Sequence, residues 1–179
     1  HTGIGTLPLL YYGNDTQKQK YIPKLATGEW KAAYCLTEPS SGSDANSGKS
    51  RARLTDDGKH YIINGQKMWI TNGGFANLFT VFAKIDDDKN LTAFLVEADT
   101  PGITLLRPMQ AFGEDDAPKG HFEIVFENCR VPFENVILGE GRGFEISQGR
   151  LGPGRIHHCM RMIGQGERCL AAICERVKN

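Results

Sequence analysis

Three short stretches hold residues that could do chemistry. The first, YCLTEPSSGSD, runs from Tyr34 to Asp44 and gathers Thr37, Ser40, Ser41, Gly42 and Ser43 around one proline. Hydroxyls and exposed backbone N–H groups in such a loop suit an anion, phosphate above all. The same composition also serves an ordinary turn. Its spacing is not that of the P-loop. Nor does a G-x-G-x-x-G follow a strand and open a helix, as dinucleotide binding would require.

The second stretch is GQKMWITNGG, Gly65 to Gly74. Strict alternation along a strand would point Trp69 and Thr71 to one face. An indole and a hydroxyl so placed could offer a flat heteroaromatic ligand a stacking surface and a hydrogen bond. A core tryptophan beside a satisfied threonine fits the same pattern. The third stretch is RIHHC, Arg155 to Cys159. Adjacent helical residues point about 100° apart, so His157 and His158 do not share a metal, and no metal site is expected. Arg155, near an expected helix start, could serve a phosphate or a salt bridge. GEGRGF, Gly139 to Phe144, has the wrong glycine spacing for a dinucleotide loop and reads as a flexible hinge between domains.

These stretches need a scaffold. Residues 1–30 read as helical. Asn14 or Asp15 caps a helix whose apolar side is Tyr21, Ile22 and Leu25, and Pro23 followed by TGEW stops it. Residues 31 to about 128 read as short β-branched and aromatic segments punctuated by Asp-Gly, Asn-Gly and Pro-Gly, a small barrel or sandwich. DDGK at Asp56–Lys59 is a hairpin turn with Gly58 at positive φ. DDDKN at Asp86–Asn90 is another turn, its charges solvated. Residues 139–178 read as helical again, interrupted at RLGPG, with Pro153 in the first turn of a new helix. Ile156, Met160, Ile163, Leu170, Ile173 and Val177 form one apolar face.

The totals narrow the function classes. Across 179 residues, 21 Lys and Arg balance 21 Asp and Glu, so net charge argues for neither nucleic acid nor an anionic membrane. No apolar run reaches the length of a membrane span. Five cysteines, an odd number with no CxxC pair, read as reduced thiols rather than a disulfide framework. Both chain ends read as cut, and a β unit between two helical pieces reads as the middle of a larger protein.

Taken in order, YCLTEPSSGSD, YIINGQKMWITNGG, FLVEADTPGI and FENCRVPFENVILGEGRGF resemble the acyl-CoA dehydrogenase family over almost the whole chain. Up to about Pro101 the text is similar to the medium- and very-long-chain types. From Arg107 onward it is similar to the branch whose larger eukaryotic members carry a kinase-like domain upstream. The resemblance implies an α+β fragment. Residues 1–30 would be the end of an N-terminal helical domain, 31–138 a middle antiparallel β-barrel, and 139–179 the first helices of a C-terminal helical bundle.

The resemblance also implies FAD as cofactor. Tyr34, Leu36 and Thr37 would border the isoalloxazine, with Leu36 and Thr37 at its pyrimidine edge. Gly42 and Ser43 would approach the pyrophosphate, Trp69 would pack against the ring, and Thr71 would hydrogen-bond near N5. Ser43 and Arg155 would touch the acyl-CoA substrate. The implied reaction is α,β-dehydrogenation of acyl-CoA thioesters to trans-2-enoyl-CoA, with electrons passed to an electron-transfer flavoprotein. The catalytic base is expected beyond Asn179, so the fragment alone would be inactive. An acyl-CoA oxidase, or an inactive acyl-CoA- and flavin-binding barrel, is the alternative. Full-length relatives imply a homodimer or homotetramer. The compartment would be the cytoplasm in a bacterium, and the mitochondrial matrix or peroxisome in a eukaryote.

Overall fold

A computed structural model describes residues 3–113 and 120–178; His1, Thr2, the stretch 114–119 within the second half of the family resemblance, and Asn179 lie outside the described residues. The chain divides into two units, His1–Ser147 and Gln148–Asn179.

The first unit opens with α1 (Leu7–Tyr12) and α2 (Asp15–Thr27). Asn14 caps α2 reciprocally. Its side chain accepts the Gln17 N–H at 2.8 Å, and the Gln17 amide oxygen accepts the Asn14 N–H at 3.0 Å. Pro23 does not stop the helix as its sequence suggested. It forfeits one backbone bond inside α2, and the stop comes at Gly28, whose φ of 77° ends the helix in the left-handed region. Tyr21 and Leu25 are buried beneath α2. The Gln17 amide also donates to the Glu134 and Val136 carbonyls, which docks the helix on the sheet.

Among the described residues eight strands follow: β1 (Ala32–Cys35), β2 (Arg51–Leu54), β3 (His60–Thr71), β4 (Leu78–Ile85), β5 (Leu91–Glu97), β6 (Ile103–Pro108), β7 (His121–Pro132) and β8 (Val136–Ile137). They form one sheet in the order β6-β7-β3-β2-β4-β5-β8, with β1 beside β4. Gly58 (φ 66°) turns β2 into β3, and Asp86 (φ 45°) begins the turn from β4 to β5. β4 and β5 read as almost continuous apolar runs because both faces are covered. On β4, Phe79 and Val81 join Tyr61, Ile63, Phe94 and Phe126 on one face. Leu78 and Phe82 join Leu9, Tyr21, Leu25 and Leu95 on the other.

Two expectations change here. Among the described residues the sheet does not close into a barrel, because its path ends at β6 on one side and at β8 on the other. Nor is it purely antiparallel: β1 and β2 both run parallel to β4. The register explains why. β1 pairs with Leu78–Val81, and β2 pairs with Lys84 and Ile85 further along the same strand. β1 and β2 are therefore two pieces of one row. Residues 36–50, which contain TEPSSGSD, are an excursion out of that row. Phe82 and Ala83 of β4 face the break.

GEGRGF is not a loose hinge. Tyr61 donates a hydrogen bond to the Glu140 carboxylate, and the Gly141 N–H donates to the Thr92 hydroxyl at 2.8 Å. A Cβ at Gly143 would stand 2.7 Å from the Leu91 carbonyl, so only glycine fits there. One helix, α3 (Gly143–Lys178), replaces the expected pair, with Pro153 inside it rather than at a new start. Within the second unit the apolar side chains from Ile156 to Val177 are exposed. All five cysteines are free. Burial pushes the Cys35 thiol up to about 12 and the Cys129 thiol up to about 11, so both stay protonated at neutral pH.

β3 is held against the far end of the excursion by Gly65. A Cβ at that position would lie 2.1 Å from the Ser50 hydroxyl and 2.9 Å from Ser50 Cα. Gly65→Ala is therefore expected to cost about 1–3 kcal/mol through overpacking. Chemical denaturation measures it, and wild-type stability would show that Ser50 moves aside freely.

Candidate functional site

The site is built where the excursion from the β1–β2 row meets the C-terminal half of β3. The Met68 N–H donates to the Thr37 carbonyl at 3.0 Å, so β3 continues as the neighbour of the chain leaving β1. Just before it on β3 stands Lys67, 1% exposed. Its ammonium donates to the Glu38 carboxylate at 2.7 Å, to the Phe82 carbonyl at 2.6 Å and to the Leu36 carbonyl at 3.4 Å. The Phe82 carbonyl faces the break in the row, where no strand residue is available to it. Lys67 reaches from β3 across the break to satisfy it.

Glu38 completes the lock. It is 5% exposed, and its carboxylate accepts the N–H groups of Lys49 at 2.6 Å and Ser50 at 3.1 Å besides Lys67. Burial pushes the Glu38 carboxyl up, but Lys67 and these donors outweigh it and hold it below the ordinary carboxylate range. Burial draws the Lys67 ammonium below its ordinary value, against the pull of Glu38. The Gly48-Lys49-Ser50 run looks like the end of a phosphate loop in one dimension. Its Lys49 and Ser50 N–H groups are spent on Glu38 instead.

Between these anchors the loop folds on itself. Glu38 and Ser41 exchange backbone hydrogen bonds, and the Ser41 hydroxyl donates to the Asp44 carbonyl at 2.7 Å. Ser41 is 3% exposed, so it is a turn lock rather than a ligand group. Gly42 and Ser43 stand at the exposed tip, and a Cβ at Gly42 would meet nothing within 4 Å. Close contact there would have to come from a ligand. Leu36 and Thr37, at the base, are half-buried, as is Tyr34, whose ring packs edge-on against Phe82 with centroids 4.9 Å apart.

Trp69 and Thr71 do come together, though not by simple alternation. The β3–β7 register slips between Lys67 and Ile70, and Trp69 has φ 60°. For an L-residue with a bulky side chain that conformation costs about 1–2 kcal/mol. The bulge leaves the indole 42% exposed while Ile70 stays buried. Both side chains meet His121 on β7. The Thr71 hydroxyl and His121 Nδ1 are hydrogen-bonded at 3.0 Å, and the indole and imidazole centroids lie 6.5 Å apart, edge to face. Beyond Thr71 the chain turns sharply at Asn72 (φ 67°), and its amide donates to the Ala32 carbonyl at 3.3 Å. Gly73 and Gly74 lie against Phe122, where a Cβ would come within 2.8 Å and 2.4 Å of it.

Tyr34, Leu36, Thr37, Gly42, Ser43, Trp69 and Thr71 thus share the first unit, on the loop and strand that the Lys67–Glu38 pair joins. Arg155 belongs to the second unit, on α3, where its guanidinium donates to the Gln148 side chain at 2.9 Å. Sequence reasoning passed over Glu38, Lys67 and His121. The available signal was a lysine in an otherwise apolar-inward strand position and one carboxylate beside the proline of a hydroxyl-rich loop.

Residues 33–129 match the family model described as acyl-CoA dehydrogenase, middle domain, and residues 1–29 the one described as acyl-CoA dehydrogenase, N-terminal domain. Acyl-CoA dehydrogenase family member 11 of Gallus gallus is 43% identical over 182 residues, covering 96% of this chain and 23% of that protein. The chain thus spans about a quarter of the length of such curated relatives. Among solved structures, an acyl-CoA dehydrogenase complexed with FAD from Bacillus anthracis superposes with a TM-score of 0.82 at 44% identity, covering 87% of this chain and 26% of that one. The structure of the electron transferring flavoprotein of Acidaminococcus fermentans gives a TM-score of 0.79 at 36% identity, covering 86% and 40%.

The direction of the Glu38 shift sets a pH test. A carboxyl held low in the folded state contributes stability that is complete above its unfolded value, near 4.5, and is lost as pH falls through its folded value. Glu97, also held low, titrates in the same acid window, so the wild type alone does not isolate Glu38. The stability difference between wild type and Glu38→Gln is expected to be constant at neutral pH and to shrink below about pH 4.5. Urea titrations across that range measure it; a difference that does not change with pH would remove Glu38 as an ionised anchor.

Proposed function

This chain belongs to the acyl-CoA dehydrogenase family, and from that premise we propose that it supplies the flavin-facing core of an FAD-dependent acyl-CoA dehydrogenase acting on acyl-CoA thioesters. One observation carries the reading. The hydroxyl- and glycine-rich loop and the Trp69–Thr71 end of β3, far apart in sequence, are locked into one site by Lys67, Glu38 and the Met68–Thr37 backbone bond.

The residues fit such a cofactor. A half-exposed indole on a strained bulge offers an apolar face, and strain of this kind is characteristic of ligand-holding positions. Thr71 offers a hydroxyl beside it, and Leu36 and Thr37 offer backbone at the loop base. Gly42 and Ser43 offer an open, uncrowded tip suited to a pyrophosphate. FAD, when bound, supplies the acceptor for the hydride lost from the substrate's β-carbon. The residues of this chain bind and orient. Trp69 would pack against the ring and Thr71 would offer it a hydrogen bond, with His121 holding the Thr71 hydroxyl. Thr37 and Leu36 would meet its pyrimidine edge. Ser43 would contact the acyl-CoA. No residue of this chain is assigned as the base that removes the α-proton. An electron-transfer flavoprotein is the electron acceptor that this reading implies.

The full-length protein loaded with FAD is expected to bleach anaerobically on addition of acyl-CoA of some chain length. Absence of bleaching across short, medium and long chains would overturn the reading. Reoxidation of the bleached protein by oxygen at the turnover rate would favour an oxidase. Thr71→Val is expected to slow bleaching by about tenfold or more through loss of one directed hydrogen bond, with the fold unchanged by circular dichroism.

A further inference from the structure

The buried ion pair does more than hold a loop down. The geometry points to Lys67, with Glu38 as its counter-charge, as the positioning residue that aims the Thr37 N–H at the flavin. This rests on the assignment of Leu36 and Thr37 to the flavin edge made above. The Leu36 carbonyl and the Thr37 N–H belong to one planar trans peptide, and the two groups point in opposite directions. Lys67 holds the Leu36 carbonyl inward at 3.4 Å. The Thr37 N–H must then face away from Lys67. The next carbonyl along, that of Thr37, is held by the Met68 N–H at 3.0 Å, and the Glu38 N–H is spent on Ser41 at 3.0 Å. The orientation of this peptide is fixed from both sides before any ligand arrives.

An uncharged side chain would not reproduce this. One ammonium meets three oxygens on three separate pieces of chain, Leu36 before the loop, Glu38 within it and Phe82 on β4. The ammonium carries three N–H donors, one for each. At 1% exposure its charge requires a counter-ion, and Glu38 is the one in contact. Glu38 in turn fixes the exit of the loop through the Lys49 and Ser50 N–H groups. Entry and exit of the excursion are thereby tied to one pair of charges, and the peptide at the entry is oriented by the same atom.

The test separates orientation from stability in the full-length protein. Lys67→Met leaves Glu38 charged and buried, so it is expected to lower both stability and FAD affinity. In the double variant Glu38→Gln/Lys67→Met no charge is buried, and the introduced amide oxygen still accepts the Lys49 and Ser50 N–H groups. That variant is expected to melt above Lys67→Met in the FAD-free state, though below wild type because the Phe82 carbonyl still lacks its donor. Its dissociation constant for FAD is expected to stay raised about tenfold or more, because the Leu36 carbonyl still lacks its donor. The visible band of the bound flavin should differ in shape from wild type as well. Affinity that returns together with stability would overturn the proposal, as would Lys67→Met binding FAD like wild type. Hydrogen exchange on the unsubstituted protein gives an arm that needs no variant to fold. The Thr37 amide should become protected when FAD is added, and unchanged exchange would overturn the proposal. A wild type that binds no FAD would instead defeat the flavin assignment itself.

Discussion

The site depends on one lysine buried where a sheet row is broken. Parallel pairing of β1 and β2 to β4 would make an uninterrupted row if the chain did not leave it between Leu36 and Ser50. Leaving the row gives the protein an exposed loop at the heart of its sheet, but it strips a β4 carbonyl of its strand partner. An unmatched buried carbonyl costs about 1–3 kcal/mol. Lys67 satisfies that carbonyl from the neighbouring strand, and Glu38 from the loop neutralises Lys67. Replacing such a pair with well-packed apolar residues is often harmless to stability. Here an apolar pair would leave the Phe82 carbonyl and the Lys49 and Ser50 N–H groups unmatched, so the ionic solution is tied to the broken row.

Rigidity at the loop base contrasts with strain at the end of β3. The register slip and the left-handed Trp69 push a large aromatic outward, while buried Ile70 between Trp69 and Thr71 keeps the strand attached to the core. The cost is met locally by the hydrogen bond and ring contact at His121, and by glycines that let the following turn lie against Phe122. A regular strand would have buried or fully exposed the indole according to its parity. The bulge allows Trp69 and Thr71 to meet the same imidazole. Preorganisation of this kind lowers the ordering cost of binding a flat ligand.

Much of the scaffold was legible because local chemistry dictated it. Asn14 and Gln17 form a capping box wherever a helix follows them, Gly58 turns a hairpin, and the apolar runs of β4 and β5 announce strands buried on both faces. The motifs that point to the family are contiguous, so they too could be read. The errors share a cause. The sequence alone suggests that Pro23 begins a helix stop and that Pro153 opens a new helix, yet each sits inside a helix that the surrounding residues continue. GEGRGF was read as slack from its glycines, yet Gly143 is required by close approach to Leu91 and Gly141 hydrogen-bonds Thr92. The closed antiparallel barrel was an expectation about pairing, and pairing is a relation between distant segments.

The sequence by itself determined most of the strands and helices and the family the chain belongs to, because propensity, capping and motif order act over a few neighbouring residues. Only the tertiary structure decided that β1 and β2 share one row, that Lys67 and Glu38 are partners across 29 residues of chain, and that His121 stands behind Trp69 and Thr71. Burial is what makes these long-range choices binding. A lysine in water needs no particular carboxylate, whereas at 1% exposure it must find one, and the strand order leaves Glu38 as its partner.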